Sequence, residues 1–203
     1  RKNAMVHGYY LHYRDVYDDT KKQTGINKKV RDQIDALNDL GVSCDFIFCE
    51  QPESIPAMVV SCLPGFSDGI QWPSLGRVNG ADFLYLRCPR FVSRELLRFL
   101  KTFKESNPDS KVIYEIPTYP YDESMKTPKM YAALRKDRKF RKDLNKYVDR
   151  ISDLSGQDEI FGIPTVHFRN GINLKRIDTK KVRASKDDSI NLMCAAFYCE
   201  WHG

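Results

Sequence analysis

The chain has 203 residues, which is enough for one α/β domain with a sizeable hydrophobic core. Apolar residues make up 41% of it and charged residues 30%, a balance that is typical of a globular protein and excludes a fibrous or largely disordered one. The net charge of +6 arises between Lys126 and Arg150, so the rest of the chain is close to neutral, which disfavours a general nucleic-acid-binding protein.

The amino-terminal part of the sequence has the pattern of a βαβ unit. Ala4 to Tyr10 predicts a strand, and Leu11 to Thr24 predicts a polar loop whose length is typical of functional loops. A helix is predicted to begin at Gly25 and to end at Gly41, and Val42 to Cys49 predicts the next strand. The apolar face of this helix consists of Ile26, Val30, Ile34, Leu37 and Leu40.

Strands and helices continue to alternate in the middle of the chain. The stretch from Glu50 to Gly80 gives weaker signals, and within it Ala57 to Leu63 is interpreted as a strand. Asp82 to Arg87 then predicts a buried strand, and Ser93 to Phe103 predicts a helix with Ser93 at its start. Lys111 to Ile116 predicts a further strand.

Pro128 to Leu154 is predicted to form one long helix because apolar residues recur along it at helical spacing, and Ile163 to Phe168 is predicted to be the last strand. This order predicts an α/β fold with a Rossmann-like, doubly wound, mostly parallel sheet. The predicted domain covers residues 1–175 and is followed by a polar linker at 176–189. Residues 190–203 contain a new apolar strand, which is predicted to open a second, truncated domain.

The six cysteines are scattered, and none forms a Cys-x-x-Cys pair or accompanies histidines at metal-ligand spacing. Several lie within apolar runs, so we expect buried free thiols in a reducing compartment. The first residues lack the apolar core of a signal peptide, and no uncharged run is long enough to span a bilayer. The sequence therefore predicts a cytoplasmic protein. The cysteines are Cys44, Cys49, Cys62, Cys88, Cys194 and Cys199.

The carboxyl end of the strand from Lys111 to Ile116 collects side chains that suit a ligand site. Pro117 and Pro120 end the strand because they cannot donate hydrogen bonds to a sheet ladder. Open α/β sheets bind their ligands at this edge. The side chains predicted to face a ligand are Glu115, Thr118, Tyr119, Tyr121 and Asp122. The same pattern also suits a rigid strand-to-helix connection without a ligand.

A second candidate site lies at the start of the helix that begins at Gly25. The dinucleotide fingerprint Gly-x-Gly-x-x-Gly, the P-loop and the zincin motif do not occur in the sequence. Thr24-Gly25 instead offers a single glycine at a helix start, where backbone amides and the helix dipole favour a phosphate and Lys28 adds positive charge. A glycine at this position can also be a simple helix cap.

Several short motifs occur in a characteristic order. They are Thr24-Gly25-Ile26-Asn27-Lys28-Lys29-Val30, Gly41-Val42, Ala81 to Arg87, Glu115 to Asp122, Tyr147 to Ile151, Gly162-Ile163-Pro164 and Asn170-Gly171-Ile172-Asn173. In this order they resemble the amino-terminal domain of GT-B glycosyltransferases of the family 4 type, in the forms seen in bacterial capsule and exopolysaccharide enzymes. The resemblance covers nearly the whole chain, and the last motif is its most specific part.

The resemblance implies that the chain is one half of a GT-B fold, the acceptor-side half of a retaining glycosyltransferase that needs no metal or other cofactor. Such enzymes move a sugar from a nucleotide-sugar donor to a polysaccharide or lipid-linked acceptor. By this likeness Thr24, Gly25 and Lys28 bind the donor diphosphate. The implied acceptor-facing or sugar-facing residues are Glu115, Thr118, Tyr119, Tyr121, Asp122 and Arg87, and the implied cleft turn is Asn170-Gly171.

No catalytic side chain is assigned. Many members of the family carry a histidine near the end of the strand that continues here as Pro117-Thr118-Tyr119. In the family the second domain holds most of the donor, so the chain alone is predicted to be folded but inactive.

Other functions suit the same residues. The main alternative is a Rossmann-like module that binds a nucleotide or sugar without catalysis, whereas an epimerase or methyltransferase is disfavoured by the missing glycine fingerprint. Arg87 can reach a phosphate or pair with a carboxylate, and Asn170-Gly171 is first of all a tight turn. His7, His12 and His167 are interpreted as structural or exposed.

The basic segment from Lys126 to Arg150 suggests a further partner. Its basic residues alternate with aromatic and apolar ones, so as a helix it suits an anionic membrane surface, with the protein peripheral on the inner face. The alternative is the solvated face of a helix that packs on the core.

Overall fold

The computed structural model describes residues 5–20, 24–63, 65–122, 127–169, 171, 173 and 175. The chain divides into two compact units, Arg1–Ile172 and Asn173–Gly203. In the second unit the described residues are Asn173 and Lys175, and the backbone amide of Lys175 donates a hydrogen bond to the side chain of Asn173. The linker predicted at 176–189 and the strand predicted from Ile190 to Tyr198 lie outside the described residues.

The first unit contains a seven-stranded sheet. The strands are β1 His7–His12, β2 Ser43–Phe48, β3 Phe83–Arg87, β4 Lys111–Glu115, β5 Arg150–Asp153, β6 Glu159–Ile160 and β7 Ile163–His167. Their order is β2-β1-β3-β4-β5-β7-β6, and neighbours are parallel except for β6, which is antiparallel to β7. The predicted α/β fold with a Rossmann-like, mostly parallel sheet is therefore confirmed.

Helices connect these strands on both faces of the sheet. In the described residues they are α1 Gly25–Asp39, α2 Ile55–Cys62, α3 Leu75–Val78, α4 Arg94–Ser106, α5 Pro128–Phe140 and a 3₁₀ helix at Arg141–Lys146. A hydroxyl side chain caps the N-terminus of four helices by accepting a hydrogen bond from an amide three residues later. These caps are Thr24, Ser54, Ser93 and Thr127.

The alternation of side chains along β1 separates two layers of core. Tyr10 belongs to a smaller layer that also contains Val30 and Ile34 of α1. Leu11 points the other way into a larger layer that contains Leu96 and Phe103 of α4. Helices α1 and α4 therefore cover opposite faces of the sheet.

Most elements predicted before Ile116 are confirmed to within three residues, namely α1, β2, β3, α4 and β4. Strand β1 is displaced, because it continues past Tyr10 to His12. Gly8 lies inside it, where a Cβ atom would come within 2.4 Å of Phe83 on β3, so the close approach of the neighbouring strand requires glycine. Leu40 follows the end of α1 and is exposed, so its predicted place on the apolar face is wrong.

The strand predicted from Ala57 to Leu63 is wrong, because these residues belong to α2 and its C-cap. A short apolar run cannot distinguish a strand from a helix by periodicity alone. Two local features favour the helix. The side chain of Ser54 caps it by accepting a hydrogen bond from the amide of Ala57. Pro56 lies in the first turn, where a backbone N–H has no partner within the helix and its absence costs nothing.

The single helix predicted from Pro128 to Leu154 is also wrong. Helix α5 ends at Phe140, the 3₁₀ helix follows, and Ile151 lies in β5 between neighbouring strands. The apolar spacing continued without a break because Leu144 and Ile151 contribute to the same core layer from different elements. Among the described residues, no helix has the length and apolar character needed to cross a bilayer.

A two-residue turn, Phe161-Gly162, joins β6 to β7. Both residues have positive φ angles, 56° and 75°, and Ile160 pairs with Ile163 across the turn. A positive φ is unusual for a bulky residue. The ring of Phe161 packs against Tyr119, which follows β4, and its centre lies 4.7 Å from the guanidinium of Arg141 in the 3₁₀ helix, so these contacts hold the turn in place.

The described cysteines are free thiols, as predicted. Cys44, Cys49 and Cys62 are buried, and Cys88 is half-buried. Burial raises the pKa of Cys44, Cys49 and Cys88 to about 12, so these side chains remain protonated and unreactive near neutral pH. The two remaining cysteines lie outside the described residues.

Candidate functional site

Helix α1 runs from the carboxyl edge of the sheet to its amino edge. Near its C-terminus, the side chain of Asn38 accepts a hydrogen bond of 2.9 Å from the amide of Cys44, near the start of β2. Near its N-terminus, Lys29 Nζ lies 3.5 Å from Oε1 of Glu115, the last residue of β4. Gly25, the first residue of α1, therefore lies toward the carboxyl edge.

The direction of winding changes between β1 and β3. From β1 the chain passes through α1 to β2 on one side, and from β3 it passes through α4 to β4 on the other. Such a switch point is where open α/β sheets bind ligands, outside the carboxyl ends of the strands. The polar side chains at the ends of these strands are therefore the candidate site.

Polar side chains end several neighbouring strands at this point. Arg87 of β3 stands in register with Glu115 of β4, and Glu115 stands in register with Ser152 of β5. His12 ends β1 and faces the same side of the sheet as Tyr10, because side chains two residues apart share a face.

Glu115 is the centre of this group, and its side chain is fully buried. Its Oε1 accepts a hydrogen bond from Arg87 Nη1 and lies 3.5 Å from Lys29 Nζ. Its Oε2 accepts hydrogen bonds of 3.1 Å from the hydroxyls of both Tyr10 and Tyr85. The carboxylate therefore connects β1, β3, β4 and α1, and two cations neutralise its charge.

Tyr10 and Tyr85 are held as hydrogen-bond donors, with their rings stacked at 4.8 Å. Burial raises the pKa of both hydroxyls, and the charge of Glu115 raises it further. Gln33 of α1 joins them: its Oε1 lies 2.9 Å from the Tyr10 hydroxyl, and its Nε2 donates to Glu115 at 3.3 Å. The Tyr85 hydroxyl also lies 3.1 Å from Ser152 Oγ.

Lys29 joins α1 to the carboxyl end of β7. Its Nζ lies 4.6 Å from the ring centre of Phe168, a cation–π contact. Burial lowers the pKa of Lys29, and the neighbouring Glu115 partly offsets that effect. Phe168 comes just before the predicted cleft turn, of which Asn170 lies outside the described residues and Gly171 is exposed. The chain that leads into this turn thus passes beside α1.

The residues predicted to bind the donor diphosphate share the first turn of α1. The hydroxyl of Thr24 accepts a hydrogen bond of 3.3 Å from the amide of Asn27 and lies 2.7 Å from its side-chain oxygen. Gly25 and Lys28 are exposed. A Cβ atom at Gly25 would meet no atom of the described residues within 4 Å, so these residues leave room for a side chain at this position.

The residues predicted to face the acceptor separate into two groups. Glu115 and Arg87 are buried in the network beneath α1. Tyr121 instead lies toward α5, where its hydroxyl donates a hydrogen bond of 2.8 Å to Asp137. Thr118 is exposed. Tyr119 belongs with the second group, since its ring contacts Tyr121 and Phe161.

Asp122 is bound by arginines of the basic segment. Arg141 donates to both of its carboxylate oxygens, at 2.6 and 3.0 Å, and Arg138 donates at 2.9 and 3.1 Å. The hydrogen bonds from Arg141 are the main reason why the pKa of Asp122 lies below its usual value. Part of the basic charge that the sequence shows is therefore neutralised within the fold.

His12 is a member of the site that the sequence interpretation did not include. It is fully buried, and neither ring nitrogen has a hydrogen-bond partner among the described residues. Burial lowers its pKa to about 3, and the charges of Arg87 and Arg14 act in the same direction. The imidazole is therefore neutral near neutral pH. Its place at the sheet edge was missed because the predicted strand ended at Tyr10.

No protein-family model, no curated protein and no solved structure matches the chain. Among the described residues, no cluster of three or more His, Cys, Asp or Glu side chains is placed to hold a metal ion.

Proposed function

We propose that the chain is the acceptor-side half of a retaining glycosyltransferase that moves a sugar from a nucleotide-sugar donor to a polysaccharide or lipid-linked acceptor. The observation that carries the proposal is Gly25, which opens α1 near the switch point of the sheet at a position where the described residues leave room for a side chain. The fold itself has room for a side chain there. A glycine suits a ligand that must approach the backbone closely.

The diphosphate of the donor is the ligand that this helix start would bind. During transfer the bond between the sugar and the diphosphate breaks, a bond from the sugar to the acceptor oxygen forms, and the acceptor hydroxyl releases its proton to the solvent. Negative charge then accumulates on the leaving diphosphate. The amides at the start of α1 and the exposed Lys28 would stabilise this charge, because the N-terminus of a helix carries a partial positive charge.

The buried network has a positioning role in this proposal. Glu115 is neutralised by Arg87 and Lys29 and has no exposed surface, so it does not contact the sugar directly in this arrangement. It instead fixes α1 to the carboxyl ends of β1, β3 and β4. The exposed Thr118 and the half-buried Tyr119 offer the hydroxyls that an acceptor sugar would meet.

Substitution of Gly25 tests the proposal. In the protein expressed from its complete gene, Gly25→Val places a branched side chain where the diphosphate would approach, so kcat/KM for the nucleotide sugar should fall by at least about tenfold. Gly76→Val is the matched control, since a Cβ at Gly76 also meets no atom of the described part of the chain within 4 Å. Both variants should keep their thermal midpoints. Transfer kinetics that are unchanged by Gly25→Val would refute the assignment of the donor site.

A non-catalytic module that binds a nucleotide or sugar is the second candidate. It is favoured by the state of Glu115 and His12, which are both buried at the candidate site and so do not reach a substrate as they stand. A panel of nucleotide sugars with oligosaccharide and lipid-linked acceptors separates the two functions. Saturable binding without any turnover by the complete gene product would support the module and contradict the transferase.

A further inference from the structure

We propose that the face formed by α2 and the adjoining side of α5 binds the surface of an anionic membrane, with α2 entering the headgroup region. This α2–α5 surface is defined by its exposed apolar residues Ile55, Val59, Val60, Leu63 and Phe66 and by its exposed basic residues Lys129, Arg135 and Lys139. The inference stands on this surface alone and does not depend on the transfer of a sugar.

The apolar half of the surface is unusual for a folded domain. Ile55 is 71% exposed and Phe66 is 53% exposed, and Val59 and Val60 between them are each about two-fifths exposed. The sequence from Ser54 to Ser67 contains no charged residue. Single exposed apolar residues are common, but a contiguous group within one helix and the turn after it marks an interaction surface.

The helix that carries the basic residues, α5, packs directly against the α2 segment. Ala133 of α5 packs with Cys62 of α2 in a small buried cluster. Lys136 Nζ, almost fully buried, donates hydrogen bonds of 2.8 and 2.7 Å to the backbone carbonyls of Ser61 and Phe66. Helix α5, which carries Lys129, Arg135 and Lys139, therefore keeps a fixed position against the α2 segment.

The charges of this surface remain available to a partner. Lys129 and Arg135 have no carboxylate within ion-pair distance in the described part of the chain. By contrast, Arg138 and Arg141 already bind Asp122. Exposed lysine and arginine next to exposed apolar side chains is the combination by which peripheral helices bind anionic lipid.

A lipid surface suits these side chains better than a second copy of the chain. Two α2–α5 surfaces brought together would place their uncompensated basic residues near each other, which opposes association. A bilayer accepts short branched side chains such as Ile55 and Val60 without a matching pocket, and its anionic headgroups attract the basic residues. The apolar contribution comes from α2, which the sequence alone had suggested was a strand.

Sedimentation with vesicles tests the proposal. The purified chain should bind vesicles of phosphatidylcholine mixed with phosphatidylglycerol at about 0.05 M NaCl, and it should bind less at about 0.5 M. Pure phosphatidylcholine should retain little protein. Each of Lys129→Gln and Arg135→Gln should weaken binding by about fivefold, because one charge is removed. The double variant Ile55→Ser, Phe66→Ser should weaken it by at least about tenfold.

Matched controls separate this surface from general effects. Leu40→Ser removes an apolar residue that is 81% exposed at the end of α1, and Lys101→Gln removes an exposed charge on α4. Both should bind like the unmodified chain, and every variant should keep its circular dichroism spectrum. Negligible binding to both kinds of vesicle would overturn the proposal. So would equal losses in the control variants, or a dimer in solution that Ile55→Ser, Phe66→Ser dissociates.

Discussion

Glu115 and Arg87 form a buried ion pair, and we expect removal of Glu115 to destabilise the protein more than removal of Arg87. In Glu115→Gln, the guanidinium of Arg87 loses its counter-charge while its side chain is only 6% exposed, so it cannot turn toward water. Removal of one partner from a buried pair costs about 3–5 kcal/mol. In Arg87→Met the carboxylate keeps Lys29 at 3.5 Å and the hydroxyls of Tyr10 and Tyr85 at 3.1 Å. We expect that variant to lose only about 1–3 kcal/mol.

Urea unfolding followed by circular dichroism at neutral pH measures both losses. The double variant Arg87→Met, Glu115→Gln should cost less than the sum of the single variants by at least about 1 kcal/mol, because it leaves no unpaired guanidinium. Arg138→Met is the control, since the Arg138 side chain is 58% exposed and its pair with Asp122 should be worth less than about 1 kcal/mol. An Arg87→Met loss as large as that of Glu115→Gln, or strict additivity, would refute this account of the network.

Further predictions concern pH and the attachment of α2. The pKa of His12 is about 3 in the folded protein and 6.5 for an ordinary histidine, so on acidification the unfolded state binds a proton before the folded state does. The contribution of His12 to the free energy of unfolding is therefore complete above pH 6.5. It falls toward pH 3 by up to about 1.4 kcal/mol per pH unit. His12→Phe should remove this part of the slope in urea unfolding, and an unchanged slope would contradict it. Lys136→Met should leave the carbonyls of Ser61 and Phe66 without their donor, cost about 1–3 kcal/mol and speed hydrogen exchange in α2. Lys139→Met should change neither the stability nor the hydrogen-exchange rate of α2. Equal exchange rates in the two variants would show that the buried amine of Lys136 does not hold α2.

The elements with local signals were predicted well from the sequence. Helix α1 has a capping threonine, a regular apolar face and a closing glycine at Gly41, whose φ of 81° lies in the left-handed region. Helix α4 likewise has a local start signal, the capping serine Ser93. These signals depend on residues a few positions apart, so no knowledge of the tertiary fold is needed to use them.

The wrong predictions concern segments in which local signals were weak or misleading. The run that forms α2 is apolar on all sides, so its spacing gives no period, and only the cap at Ser54 and Pro56 in the first turn favour a helix. Leu144 and Ile151 continue the spacing of α5 although they belong to a 3₁₀ helix and to β5. Periodicity records which residues face the core, and it does not record where one element ends and the next begins.

The candidate site was predictable only in part. Glu115 and Arg87 were recognised by their position at strand ends, and the structure joins them as an ion pair, one of the two roles considered for Arg87. The contact of Glu115 with Tyr10 spans 105 residues and depends on the order and register of three strands. A single sequence does not determine that register. The direction of Tyr121 toward Asp137 likewise depends on where α5 packs.

The hairpin of β6 and β7 has a consequence for solubility. Its outer strand is only two residues long, so this border of the sheet presents very little unpaired backbone to another molecule. The opposite border, β2, is six residues long and is the more exposed template for strand addition in the described part of the chain. There Asp45 is exposed and pairs with His7 at 3.1 Å. If the β2 strands of two molecules paired edge to edge, their Asp45 carboxylates would come close together. The repulsion between these carboxylates opposes such pairing, and so opposes fibrous aggregation, at neutral pH.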